Sequence, residues 1–148
     1  MTKLIPLKKI LRRLYSPHIN CNDFLSKVII GKKGLEIGGP SPIFSKNGLC
    51  PIYVIAKNID NLNYSEKTLW NESKGESFYY DKINLGTQII GEAYDIKKII
   101  NLKYDFVCSS HFIQHCANPI KVLQGIKHIL KDEGILLFIV PYKNNTFD

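Results

Sequence analysis

Methionine and tryptophan each occur once in the 148 residues, and glycine (10) and proline (7) follow no period. That excludes collagen-like and linker-like chains. With 45% hydrophobic and 22% charged residues, the composition excludes a disordered chain and suits one globular domain with a core of its own. The four cysteines, at positions 21, 50, 108 and 116, lack tight paired spacing, which argues against a disulfide framework and for a reducing cytoplasm. The longest apolar run, Ile135 to Val140, is six residues, far short of the roughly 20 that span a bilayer. No secretory leader is read, so no transmembrane segment and a cytoplasmic location are expected.

Acidic residues are nearly missing from the first 33 positions. Lys3, Lys8, Lys9, Arg12, Arg13, Lys27, Lys32 and Lys33 face Asp23 alone there, which accounts for the whole formal charge of +7. From Gly34 onward the charges balance. A body without a spread basic surface is a poor nucleic-acid binder, and no nucleic-acid partner is expected. Leu7, Ile10, Leu11 and Leu14 recur at helical spacing after Pro6. Residues 6–15 therefore predict a basic amphipathic helix, an accessory packing on the domain or, alternatively, a membrane-surface contact. Residues 1–32 read as a basic helical segment and 33–148 as the domain proper.

A second helix is predicted from about Asn22, with Phe24, Leu25, Val28 and Ile29 as its apolar face and Gly31 closing it. Short apolar strands then alternate with turns and helices: Leu35 to Ile37, Ile52 to Ile55, Gln88 to Gly91, Phe106 to Ser109, and Ile135 to Val140. This is an α/β pattern with a parallel sheet of about five strands. The last strand reads as covered on both faces. The helix before it has Asn118 as cap, Pro119 in its first turn, Ile120, Leu123, Ile126 and Leu130 as its stripe, and Gly134 as its end. Between Asn61 and Gly86 lie scattered aromatics from Tyr64 to Tyr80, expected as a lid or local packing.

The most informative segment runs from Leu35 to Phe44, a buried strand entering Gly38-Gly39-Pro40-Ser41-Pro42. Ligands of open parallel sheets lie beyond the carboxyl ends of the strands, and glycines there let a ligand approach the backbone. A dinucleotide site wants a third glycine for close helix packing, and it is missing. Glu36 beside the turn repels a pyrophosphate but suits a sulfonium or ammonium centre. The turn favours S-adenosylmethionine over NAD. Asp60 lies 24 residues beyond Glu36, close to the spacing at which a carboxylate accepts from ribose hydroxyls. Glu92, followed by Ala93 at the next strand end, is placed to accept from an adenine amino group.

The stretches GLEIGGPSPIF (34–44), PIYVIAKNIDNLNYS (51–65), EA followed by DI (92–96), YDFVCSSHFIQHCANP (104–119) and VPYKNNTFD (140–148) together resemble the class I S-adenosylmethionine-dependent methyltransferases, specifically the type 11 methyltransferase domain. The resemblance covers about residues 33–148. It implies a Rossmann-like sheet, with Glu36, Gly38 and Gly39 lining the methionine end of the cofactor, Asp60 on the ribose, and Glu92 and Ala93 flanking the adenine. Ser109, Ser110 and His111 would lie beside the sulfonium and the methyl acceptor. It also implies two further strands that this chain lacks, Glu in place of Gln114, and His in place of Tyr142.

The expected reaction is in-line methyl transfer to a small molecule or saccharide, accelerated chiefly by proximity and alignment. His111 is the first choice for a general base and His115 the second. The alternative is a catalytically inactive remnant serving as a binding or scaffold module. His111, His115 and Cys116, with His18 and Cys21, lack a zinc-site spacing, so no metal is expected. Ser110-His111 lacks the glycines of a nucleophile elbow. A fifth strand at the sheet edge would expose backbone and apolar surface, so the chain is expected to be a C-terminally truncated fragment of a longer protein or to meet a homodimer mate or partner chain there.

Overall fold

The computed structural model describes residues 21–67, 76–80 and 85–142. The basic helix expected at 6–15, His18 and Trp70 lie outside the described residues, as does the side chain of Cys21. In chain order the elements are α1 (Cys21–Ile29), β1 (Lys33–Ile37), β2 (Asn58–Asn63), β3 (Ser77–Tyr79), β4 (Leu85–Ile90), α2 (Ile96–Ile99), β5 (Tyr104–Ser110), α3 (Pro119–Ile129) and β6 (Leu130–Ile139). They form one six-stranded sheet in the order β3-β4-β2-β1-β5-β6. Five strands are parallel, and β3 adds an antiparallel edge. This is the Rossmann-like α/β fold, with six strands where about five are expected.

Two hydrophobic clusters sandwich the sheet. One face carries Ile59, Phe106 and Cys108 against Leu25 and Ile29 of α1 and against Phe44, Ile52 and Tyr53. The other carries Leu35, Ile37, Leu62 and Val107 against Ile96, Val122, Ile126 and Ile129 of α2 and α3. Gly31 closes α1 with φ +69°. The aromatic run is packing in part, since Phe78 and Tyr80 are buried and Tyr80 lies against Tyr53 with ring centres 5.1 Å apart.

The second strand is not Ile52 to Ile55. That apolar run forms a 3-10 turn, Ile52–Val54, whose Ile52 and Tyr53 plug the core, and the strand is the polar-looking Asn58–Asn63. Asn61 and Asn63 are buried there with their side chains hydrogen-bonded, which a hydropathy pattern does not reveal.

The unit α3-β6 also departs from the expected pattern. Asn118 caps α3 by accepting from the Lys121 amide at 3.0 Å, with Pro119 first in the helix. The buried stripe is Val122, Gly125, Ile126 and Ile129, while Ile120 is exposed. The helix ends at Ile129 and β6 begins at once, so Gly134 lies inside the strand rather than closing the helix. β6 is half-buried rather than covered on both faces, and its outer edge pairs with no strand among the described residues.

Candidate cofactor site

Strand register sets the site. Gln88, Asn61, Glu36 and Cys108 are lateral neighbours across β4, β2, β1 and β5. In the next row stand Ile89, Leu62, Ile37 and Ser109. Beyond it the four strands release their chains at Gly91, Tyr64, Gly38 and His111. A cavity of about 1080 Å³ opens at these ends, lined by Gly38, Asn63, Glu92, Ala93, Ser110 and His111 among others.

The first wall is the glycine turn. Gly38 has φ +82°, a left-handed conformation that favours glycine, and a side chain added there would meet open space. The Gly38 amide donates to Leu62 O at 3.0 Å. Gly39 is pinned from β2: its amide donates to Asn61 Oδ1 at 3.0 Å, and its carbonyl accepts from Asn63 Nδ2 at 3.0 Å. Asn61 Nδ2 in turn donates to Gln88 Oε1 at 3.0 Å. A Cβ at Gly39 would overlap the Glu36 carboxyl.

Glu36 itself is fully buried beneath this turn. Its Oε2 accepts from the Tyr53 hydroxyl at 2.6 Å. The same hydroxyl oxygen accepts from the Ser41 amide at 2.7 Å. Oε1 meets no donor in hydrogen-bonding geometry among the described residues. Burial therefore pushes the carboxyl up to about 7, although Ser41 and Tyr53 pull it back. The Tyr53 phenol is pushed upward by burial and then by the Glu36 charge, and the Cys108 thiol by the same two causes.

The opposite wall follows β5. His111 has φ +54°, a left-handed conformation in a residue with a side chain, and its amide donates to Ile139 O at 2.9 Å. A short turn, Ile113–His115, follows. His111 and His115 are exposed at the cavity, and His115 Nε2 lies 3.2 Å from Gln114 Nε2. Burial raises the thiol of Cys116, which lines the same wall.

Of the residues expected to hold the cofactor, Gly38, Glu92, Ala93 and Ser110 line this cavity together with His111. Glu36 and Gly39 stand one layer behind its surface. Ser109 is buried beside Ile37, its hydroxyl without a hydrogen-bond partner among the described residues. Asp60 is elsewhere. It sits inside β2 rather than past its end, and its carboxylate points to the strand starts, toward Lys33 Nζ at 2.8 Å, Tyr104 OH at 2.9 Å and the Thr87 amide at 2.9 Å. The end of β2 instead presents Asn63 and Tyr64. Both were hidden by the misplaced strand, since moving β2 to 58–63 puts them at the carboxyl edge.

Comparison with known proteins adds the family. A family model described as a methyltransferase domain matches residues 26–146. The chain belongs to that methyltransferase family. Its resemblance to class I S-adenosylmethionine-dependent methyltransferases thus rests on the family model as well as on its motifs. The crystal structure of a protein assigned as a sarcosine dimethylglycine methyltransferase from Galdieria sulphuraria superposes on this methyltransferase domain with a TM-score of 0.54 and 22% identity, over 80% of the chain. That likeness shows the fold. The superposition spans 42% of the Galdieria chain, so the domain corresponds to less than half of that protein. No curated protein matches the chain. Among the described residues no helix is long and apolar enough to cross a membrane.

Proposed function

We propose that this methyltransferase domain binds S-adenosylmethionine in the cavity at the carboxyl ends of β1, β2, β4 and β5 and transfers its methyl group to a small molecule or saccharide. The observation that carries the reading is the convergence of Gly38, Asn63, Glu92 and His111 on one cavity at the strand ends of a family-matched domain. The residues present suit the cofactor. Gly38 leaves room for close approach, and Asn63 and Glu92 offer acceptors where the ribose and adenine would lie. Tyr64, Tyr94 and Phe112 supply apolar walls for the adenine and the acceptor.

When bound, the cofactor supplies an electrophilic methyl group. The chain's part is to hold the acceptor in line and to take its proton. His111 is the proposed base: it is exposed to the cavity on the wall opposite the glycine turn, and its backbone is fixed by Ile139. A cytoplasmic location belongs to the same proposal. Calorimetric titration of the full chain with S-adenosylmethionine should give saturable one-to-one binding, and NADH should give none. A folded chain that ignores S-adenosylmethionine at millimolar concentration overturns the reading.

A further inference from the structure

Glu36 was expected to touch the cofactor, yet its carboxyl lies behind the glycine turn, separated from the cavity by the Gly38-Gly39 backbone. Three observations meet there. The Tyr53 hydroxyl bridges Glu36 Oε2 and the Ser41 amide, tying the carboxyl to the far side of the turn. Gly39 lies directly on the carboxyl, so a charge there is felt across one backbone layer. Among the described residues Oε1 meets no donor in hydrogen-bonding geometry and no cation pairs with the carboxyl, which is held by the Tyr53 hydroxyl and the neighbouring Ser41.

We propose that Tyr53 and Glu36 form a proton-linked strut under the turn: Tyr53 positions Ser41, and loss of the Glu36 proton favours a cationic ligand on the other side of Gly39. In the class of ligand this concerns, the cation is a sulfonium, and to that extent the inference rests on the cofactor reading above. Around Glu36 the other titratable groups are Tyr53 from the 52–54 turn and Cys108 from β5, while Ser41 and Asn61 approach it from the turn and β2 without charge. Tyr53 and Cys108 are both driven further into their neutral forms. Glu36 is thus the member of this nest that changes charge near neutrality. A positive ligand across a low-dielectric layer stabilises the anion. By reciprocity, raising the pH must tighten binding of that ligand.

The full chain is titrated with S-adenosylmethionine at pH 6, 7 and 8, in buffers of differing ionisation enthalpy. Affinity should rise about fivefold over that range, toward a limit of about tenfold at higher pH, with proton release at pH 7, as for a fall of one pKa unit in Glu36 on binding. Glu36→Gln should flatten the rise, which separates Glu36 from titration of the ligand's own amine. Tyr53→Phe should weaken binding about fivefold, the loss of one hydrogen bond, and should speed hydrogen exchange at the Ser41 amide in the free chain. Equal pH slopes in the wild-type chain and Glu36→Gln overturn the proposal, as does an unchanged Ser41 amide in Tyr53→Phe. If the wild-type chain binds no S-adenosylmethionine at any pH, the cofactor reading falls. The strut is then judged on the free wild-type chain by carboxyl carbon NMR: a Glu36 midpoint near neutrality supports it, and one in the ordinary carboxylate range overturns it.

Discussion

Glu36 and Asp60 stand on adjacent parallel strands, both shut away from water, and they are held in opposite ways. Asp60 is surrounded by donors: a lysine ammonium, a phenol and a backbone amide all reach its carboxylate. Glu36 has the Tyr53 phenol on Oε2 and Ser41 close by, while Oε1 meets no donor in hydrogen-bonding geometry among the described residues. The difference comes from which end of the sheet each faces. Asp60 points to the strand starts, where Lys33 and Tyr104 begin their strands. Glu36 sits under the strand ends, where the chain turns to make a cavity and offers hydroxyls and backbone but no cation among the described residues. One acid holds the sheet together, and the other is left poised beneath a site.

The largest consequence is for stability. Burial raises the Glu36 carboxyl from its ordinary 4.5 to about 7 in the folded chain, so the folded state prefers the neutral acid. That contribution is fully present below pH 4.5 and is lost as pH rises through 7. The shift corresponds to a loss of about 3 kcal/mol. Urea unfolding of the wild-type chain and Glu36→Gln between pH 4.5 and 8 should show the difference between them drifting by that amount in favour of the variant. A constant difference would mean that burial does not hold the Glu36 carboxyl above its ordinary range.

Asp60→Ala should cost about 2 kcal/mol, less than a fully buried ion pair, because Lys33 can turn to water while the Tyr104 hydroxyl loses its acceptor. Affinity for S-adenosylmethionine per folded molecule should stay within twofold. Loss of binding in folded Asp60→Ala would erase the distinction between the two acids.

Hydropathy and turn chemistry located most elements of the fold. The glycines after Ile37 marked the strand end, and Asn118-Pro119 marked the start of α3. They failed where polar residues are buried. Asn61, Asn63 and Gln88 satisfy one another and the turn, so β2 looks like a loop, while the apolar Ile52-Tyr53-Val54 looks like a strand and is a plug. With the strand read at 52–55, Asp60 falls past its end, whereas it lies inside β2, and Asn63 and Tyr64 are the residues that reach the cavity. For Glu36 the position was legible and the direction was not. Pleating sends it to the face covered by Tyr53, and only the register with Asn61 and Cys108 reveals that.

His111 tests the contrast from the other wall, with the smallest change in stability. It has φ +54° and is exposed at the cavity. A side chain in that region costs on the order of 1 kcal/mol, and glycine removes the cost while adding freedom to the unfolded chain. His111→Gly should therefore leave stability unchanged or raise it by up to about 1 kcal/mol in urea unfolding, unlike any substitution in the strut. If His111 takes the acceptor's proton, methyl transfer should fall by about 10² to 10⁴ with cofactor affinity kept. Loss of stability would mean that the imidazole holds its wall as firmly as Glu36 and Tyr53 hold theirs. Retained transfer would leave the strained backbone without a catalytic reason and pass the role of base to His115, four residues on along the same wall.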